Sequence, residues 1–409
     1  MGVYKNKLNN WPIIAITIVT VLMVIRAPYL FINPRFWAEE GAVYFSEAFH
    51  TTWFDALLSG HQGHYSFFPN IITLIATKIV PLEYAPFVTT FAALVCQIFV
   101  VFIILYRLRS VLNPVQQLLL CVATIFVCNT GEIWLNTITS QYYFCLAAFF
   151  IVISGYRMSS TSWVIFDRFV LVISGLTSII TIFLLPALFI RWYLERDRNI
   201  LSLNLITLST TLVQLFYMLF NDRVNRVEFI GFYSFVHEWV VQFILWPIFG
   251  HNPGKNITGT TFLILIGVII VAFLFVTACK TKNIEQKLAI VSFFSVSVFS
   301  LIGSLRMHGG WRYAYAPAVI LMTVFILNLN VRVNKIIIGC SSIILIISFI
   351  FWIPSYRSKL SPWVVKTDVV WSKEVAKWRE SSNYPLKISP QWEGKKWSVR
   401  LNADKIEGK

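Results

Sequence analysis

Acidic residues are scarce in this chain. Its 409 residues hold 19 Asp and Glu against 34 Lys and Arg, and charged residues together make up only 13%. A soluble domain carries roughly 25%, so a chain solvated by water along its whole length is excluded. Cysteine is sparse as well. The six (Cys96, Cys121, Cys128, Cys145, Cys279 and Cys340) lie inside or at the edge of apolar runs, with no C-x-x-C spacing. That excludes a disulfide framework and a thiolate metal cluster. There is no P-loop, no G-x-G-x-x-G, no G-x-S-x-G and no H-E-x-x-H. The usual nucleotide cradle, hydrolase elbow and zincin helix are therefore missing. Internal repeats, low-complexity tracts and long flexible linkers are also absent.

What is present is apolar and aromatic: 57% hydrophobic residues, 16% Phe, Trp and Tyr, and a mean hydropathy of +0.69. Runs near the 20 residues needed to cross a bilayer place spans at 11–31, 86–106, 114–130, 141–157, 164–178, 179–194, 200–220, 258–279, 286–304, 313–329 and 335–354. The expected fold is an all-α polytopic membrane protein of about eleven transmembrane helices, within a range of ten to thirteen. The first run, from Trp11 to Leu30, follows Lys5 and Lys7. It continues into Arg26, Pro28 and Pro34 without a small-residue cleavage site, and reads as an uncleaved first span.

The net charge of +15 reports on topology rather than on nucleic acid. With the N-terminus inside, every second turn is basic, as cytoplasmic loops are: Arg107 and Arg109; Arg157 and Arg168; Arg191, Arg196 and Arg198; Lys280, Lys282 and Lys287; Arg332 and Lys335. The segments 32–85, 131–140, 221–257 and 305–312, and the tail from Ser355, then face outward. Two apolar stretches, Phe67–Val80 and Tyr233–Phe249, carry too many polar residues to span and are expected to lie in the outer interface. Gly175, Thr177, Ser178 and Thr181 mark a hairpin at the middle of 164–194. Residues 1–354 form the membrane domain, with 32–85 as its working loop. Residues 355–409, holding Trp363, Trp371, Trp378, Trp392 and Trp397, form a small interfacial tail.

Three clusters on the expected outer face can carry chemistry. Glu39 and Glu40 follow the first span within Trp37-Ala-Glu-Glu-Gly-Ala-Val-Tyr-Phe. Neighbours on a helix point about 100° apart, so one carboxylate can enter a cavity while the other caps or pairs; which of the two does so stays open. A carboxylate in an apolar setting has a raised pKa and gains strength as a base. Glu132 stands alone in the short loop from Asn129 to Gln141, near Asn136 and Gln141, residue types that orient sugars. Arg306, His308, Gly309, Gly310, Arg312 and Tyr313 combine guanidinium donors with a flexible turn, suited to a phosphate. His61 and His64 are three apart, but no third ligand is specified. Substrate contact or plain loop structure is favoured over metal, no cofactor is expected, and a divalent cation is not specified.

This layout resembles the GT-C glycosyltransferases. The resemblance rests on Trp37-Ala-Glu39-Glu40-Gly41 after the first span, the basic turn Tyr106-Arg-Leu-Arg109, Glu132 in the next outer loop, and Gly309-Gly310-Trp311-Arg312-Tyr313 with Pro317. Within that superfamily the chain is most similar to bacterial and prophage serotype-converting O-antigen glucosyltransferases. Many of these have an Asp in the first acidic pair, where both residues here are Glu.

The resemblance implies an inner-membrane enzyme with its site and C-terminus in the periplasm, working beside a separate donor synthase and flippase. It implies transfer of a hexose, glucose first, from undecaprenyl-phosphate-sugar to a lipid-linked O-antigen or similar polysaccharide. Glu39 or Glu40 is then the base and Glu132 a second acid. Arg306 and Arg312 hold the phosphate, His308 adds a donor beside it, and His64, Tyr65, Asn136, Gln141 and Tyr313 contact the sugar. An O-antigen polymerase would rely on basic outer loops more than on an acid after the first span. A flippase would place ionisable residues at mid-membrane depth.

Overall fold

The structure, a computed structural model, describes residues 10–127, 132–154, 160–221, 231–250, 260–304, 311–330, 334–358, 369–392 and 395–401. It is mostly helical. Each of the eleven apolar stretches carries a helix: α1 (Trp11–Arg26), α4 (Ala85–Arg107), α5 (Pro114–Phe126), α6 (Ser140–Ser154), α7 (Thr161–Thr177), α8 (Leu185–Glu195), α9 (Arg198–Phe220), α11 (Thr260–Lys280), α12 (Ile284–Ile302), α13 (Tyr315–Leu327) and α14 (Lys335–Ser358). Among the described residues, four helical stretches are long and apolar enough to cross a membrane: Leu82–Ser110, Arg198–Phe220, Ile284–Ile302 and Lys335–Ile353. Trp11–Arg26, Pro114–Phe126, Ser140–Ser154, Ile264–Lys280 and Arg312–Leu327 are apolar but shorter.

Local chemistry explains several boundaries. Asn113 and Gln116 close a capping box at the start of α5, each side chain bonding the other's backbone N–H at 3.0 Å, which satisfies two donors that a helix start leaves free. The expected break near Gly175–Thr181 is real. The α7 helix stops at Thr177, Ser178 takes an extended conformation, and a 3₁₀ stretch (Ile179–Leu184) leads into α8. Gly175 fits there because a β-carbon would lie 2.1 Å from Thr210 Oγ1 on α9. Tyr233–Phe249 falls within a helical run formed by α10 (Phe232–Val240), a π-helical stretch (Val241–Leu245) and the turn Trp246–Phe249. Its Trp239 indole donates to Ser297 on α12, and its Pro247 carbonyl accepts from Trp352 on α14. One side of this run is therefore packed into the bundle, while Phe232 and Tyr233 stay exposed.

The bundle has two distinct ends. At one, α4 and α7 are joined by a buried bidentate pair, Arg107 Nε to Asp167 Oδ1 at 2.9 Å and Arg107 Nη2 to Asp167 Oδ2 at 2.5 Å, with Trp163 beside the guanidinium. Removing one partner of such a pair costs about 3–5 kcal/mol, because the other charge is left buried alone. Ser110, Lys280, Lys282, Asn330 and Asn334 gather around a cavity at this end. At the far end of α4, about 34 Å away at 1.5 Å per residue, lie the segment 33–85 and the C-terminal tail.

That tail consists of α15 (Trp371–Glu380) and the antiparallel hairpin β3 (Leu386–Trp392) and β4 (Lys395–Val399). Phe36, Phe45, Ala85, Trp371, Val375, Leu386, Ile388 and Val399 form one apolar cluster, so the tail's core is completed by the first segment. The Trp371 indole donates to the Leu82 carbonyl at 2.7 Å, and Arg379 pairs with Glu83 at 2.7 Å.

Candidate active site

The segment after α1 is shaped by a left-handed residue and a π-turn. Ala38 has φ +44°, a conformation that costs a residue with a β-carbon about 1–2 kcal/mol. A π-helix follows over Glu40–Phe45. Such wide turns are rare and cluster at functional sites. Together they send the two adjacent carboxylates in different directions.

Glu40 is fully buried. Its Oε1 accepts from the Thr137 backbone N–H at 2.7 Å and from the Thr137 hydroxyl at 2.6 Å, and its Oε2 accepts from the Trp37 N–H at 3.1 Å. Burial pushes its pKa up, while the Thr137 and Trp37 hydrogen bonds and the Arg35 charge oppose that shift. Arg35, also buried, lies 4.2 Å over the Trp37 ring, and burial lowers its pKa to about 9 with Glu40 resisting. Glu40 thus ties the first segment to the loop before α6.

Glu39 is half-buried and lines a small solvent-open pocket with Tyr44, Gln62, His64, Ile138, Thr139, Gln141, Arg312 and Tyr313. Among the described residues no donor reaches its carboxylate. Besides the turn that carries Glu39 and Tyr44, three further segments build this pocket. The hairpin β1 (Gly60–His61) and β2 (His64–Tyr65) brings Gln62 and His64. The loop before α6 brings Thr139, and the first turn of α6 brings Gln141. The 3₁₀ turn Trp311–Ala314 brings Arg312 and Tyr313.

Arg312 sits 5.3 Å over the Tyr313 ring and 3.8 Å from Glu132, whose side chain is half-exposed. Beneath them, the Tyr142 ring meets Tyr313 edge-on at 6.4 Å, and Tyr315 donates to the Thr124 carbonyl at 2.8 Å. The result is a polar hollow lined by a half-buried carboxylate and a guanidinium, with hydroxyl, amide and imidazole groups in the same lining. It can take a proton from one atom and hold an anion at another.

Two residues expected to contact a sugar have other settings. Tyr65 is buried, stacks on Tyr217 with ring centroids 4.9 Å apart, and donates its hydroxyl to the Leu57 carbonyl. Burial, with Tyr217 beside it, pushes its pKa up to about 12. Its backbone is bracketed by Gln214, which also reaches the Gly175 carbonyl. Tyr65 therefore fastens the β1–β2 hairpin to α9. Asn136 is buried too; it donates to the Glu132 carbonyl and accepts from the Thr139 N–H and hydroxyl, which shapes the loop that presents Thr139. His61, in β1, has its ring 4.4 Å from that of Tyr44, and burial lowers its pKa to about 4. Arg306 and His308 lie outside the described residues. Among those residues no group of three His, Cys, Asp or Glu side chains is placed to hold a metal ion.

Sequence reasoning passed over Tyr44, Gln62, Thr137 and Thr139. Tyr44 carries a signal that is visible only with the right period. In a π-turn, residues five apart bond to each other, which returns Tyr44 to the side of Glu39, whereas the α period does not.

No family model matches this chain, and no curated protein matches it. The functional reading therefore stands on the residues and their geometry.

Proposed function

We propose that this protein is an inner-membrane glycosyltransferase of GT-C type, with about eleven spans. In this reading it transfers a hexose, glucose first, from undecaprenyl phosphate to a lipid-linked O-antigen or similar polysaccharide on the periplasmic face. The observation that carries the reading is the pocket that Glu39, from the segment after the first helix, lines together with His64, Gln141, Arg312 and Tyr313.

A sugar on a lipid phosphate already has a good leaving group. The acceptor hydroxyl attacks the anomeric carbon as Glu39 removes its proton, and the bond to the phosphate oxygen breaks with its electron pair leaving on the carrier. Arg312 neutralises that phosphate, and Glu132 holds the guanidinium in place. A single displacement of this kind inverts the anomeric centre, unlike the double displacement of retaining hydrolases. Glu40 has no part in the proton transfer; it fixes the Glu39 turn against Thr137.

The test is to incubate purified protein with polyprenyl-phosphate-glucose and a lipid-linked O-antigen acceptor. New, inverted glycosidic linkage supports the proposal. Movement of the carrier across a bilayer without new linkage points to a flippase, and joining of whole repeat units points to a polymerase.

A further inference from the structure

We propose that the C-terminal tail is a positioning element of this site: β3, at Ser389, holds the left-handed turn that aims Glu39 into the pocket. The inference rests on the reading of Glu39 as the reacting carboxylate.

The contact is specific and close to the reacting group. Ser389 donates its N–H to the Phe36 carbonyl at 3.1 Å, and its carbonyl accepts from the Ala38 N–H at 2.5 Å. These two bonds form a parallel bridge centred on Trp37. They bind the backbone on both sides of Trp37, immediately before Glu39. On the other side of the turn, the N–H groups of Gly41 and Ala42 bond the Ala38 carbonyl at 3.2 and 3.1 Å. Ala38 is thus gripped from the tail and from the π-turn, and an alanine at φ +44° persists only where its surroundings over-determine it.

The packing agrees. At Gly41 a β-carbon would lie 2.8 Å from Ile388 Cδ1 and 2.8 Å from Phe36 Cβ. The tail therefore approaches the Glu-Glu-Gly turn as closely as a glycine permits. Phe36 lies 4.4 Å from Phe45 and 5.0 Å from Trp371, ring to ring. No described tail residue lines the pocket itself. The tail acts on the pocket through the backbone of residues 36–41, which makes Ser389, Ile388 and Trp371 positioning residues and not catalytic ones.

The test combines activity with a readout that needs none. Ile388→Ala removes the side chain over Gly41, and Ile388→Leu keeps its volume and a δ-carbon. Transfer by Ile388→Ala is expected to fall about tenfold or more in kcat, since small misplacements of a reacting group are costly, with KM for the donor little changed. Ile388→Leu is expected to restore it. In parallel, Glu39→Cys is alkylated with a water-soluble maleimide and read at that residue by mass spectrometry, with and without Ile388→Ala. A change of about fivefold in its rate, with none at the exposed control Asp55→Cys, supports the proposal, because thiol reactivity follows local exposure.

An unchanged rate at position 39 overturns the proposal, whatever happens to kcat. A changed rate in a protein that never transfers sugar leaves the positioning role standing and removes the glycosyltransferase reading. If Ile388→Ala does not fold, Trp371→Phe and Trp371→Ala provide the same comparison one layer further out.

Discussion

Glu39 and Glu40 divide labour because one meets solvent and the other meets three donors. Glu39→Gln is expected to lower transfer by about 10²–10⁴-fold, the usual share of a general base, with no change in thermal midpoint. Glu40→Gln is expected to behave in the opposite sense. An amide cannot accept at both ends, so the Trp37 or Thr137 donors lose a partner, at a cost of about 1–3 kcal/mol. Thermal unfolding of the two variants side by side, with transfer measured on each, checks the division.

His61 adds a pH dependence of known sign. Its pKa falls from 6.5 to about 4 on folding, so the folded state resists protonation. The stability that neutral His61 contributes is complete above pH 6.5 and is lost as pH falls toward 4. His61→Phe, which keeps an aromatic ring against Tyr44, is expected to lose less of its thermal midpoint over that interval than the wild type. At this scale the sequence makes an acidic pair plain but not its division. That depends on Thr137, whose N–H reaches Glu40 from 97 positions away. Asn136 and Tyr65 look like sugar contacts by residue type, yet local hydrogen bonds use them up first.

The helices are the most legible elements, because long apolar runs leave the backbone few ways to satisfy its own hydrogen bonds. The Gly175–Thr181 break is legible for the same reason, since small and hydroxylated residues interrupt the run. Its packing role is not, because Thr210 arrives from another helix. Gly175→Ala is expected to destabilise the protein by about 1–3 kcal/mol, as overpacking does, with α7 and α9 forced apart; Gly175→Ala combined with Thr210→Ala recovers much of the loss. Chemical unfolding of the single and double variants measures both. The π-turns at Glu40–Phe45 and Val241–Leu245 are illegible, because no composition distinguishes five-residue spacing from four.

At the scale of the whole molecule, the tail and the segment 33–85 share one end of the bundle, and Lys280, Lys282 and Asn334 share the other. A membrane-impermeant thiol reagent is therefore expected to label Asp55→Cys and Lys373→Cys from the same side of the membrane, and Lys282→Cys from the opposite side. Labelling of Asp55→Cys and Lys373→Cys from different sides would break the arrangement. The alternation of basic turns makes this division readable in the sequence, since charge stays where it need not cross lipid. The docking of the tail is not readable, because Trp371, Ile388 and Phe36 meet over a separation that no periodicity spans.

The bridge between Trp37 and Ser389 also sets an order in time. A chain emerging from the ribosome threads its helices one after another, with the Glu39 turn made early and its partner strand made long afterwards. Throughout that interval the left-handed alanine has only the π-turn to hold it. The acidic turn gains its second support only when β3 arrives, so synthesis itself acts as a delay, and a chain stopped short of Leu386 lacks the Ser389 bridge to Phe36 and Ala38.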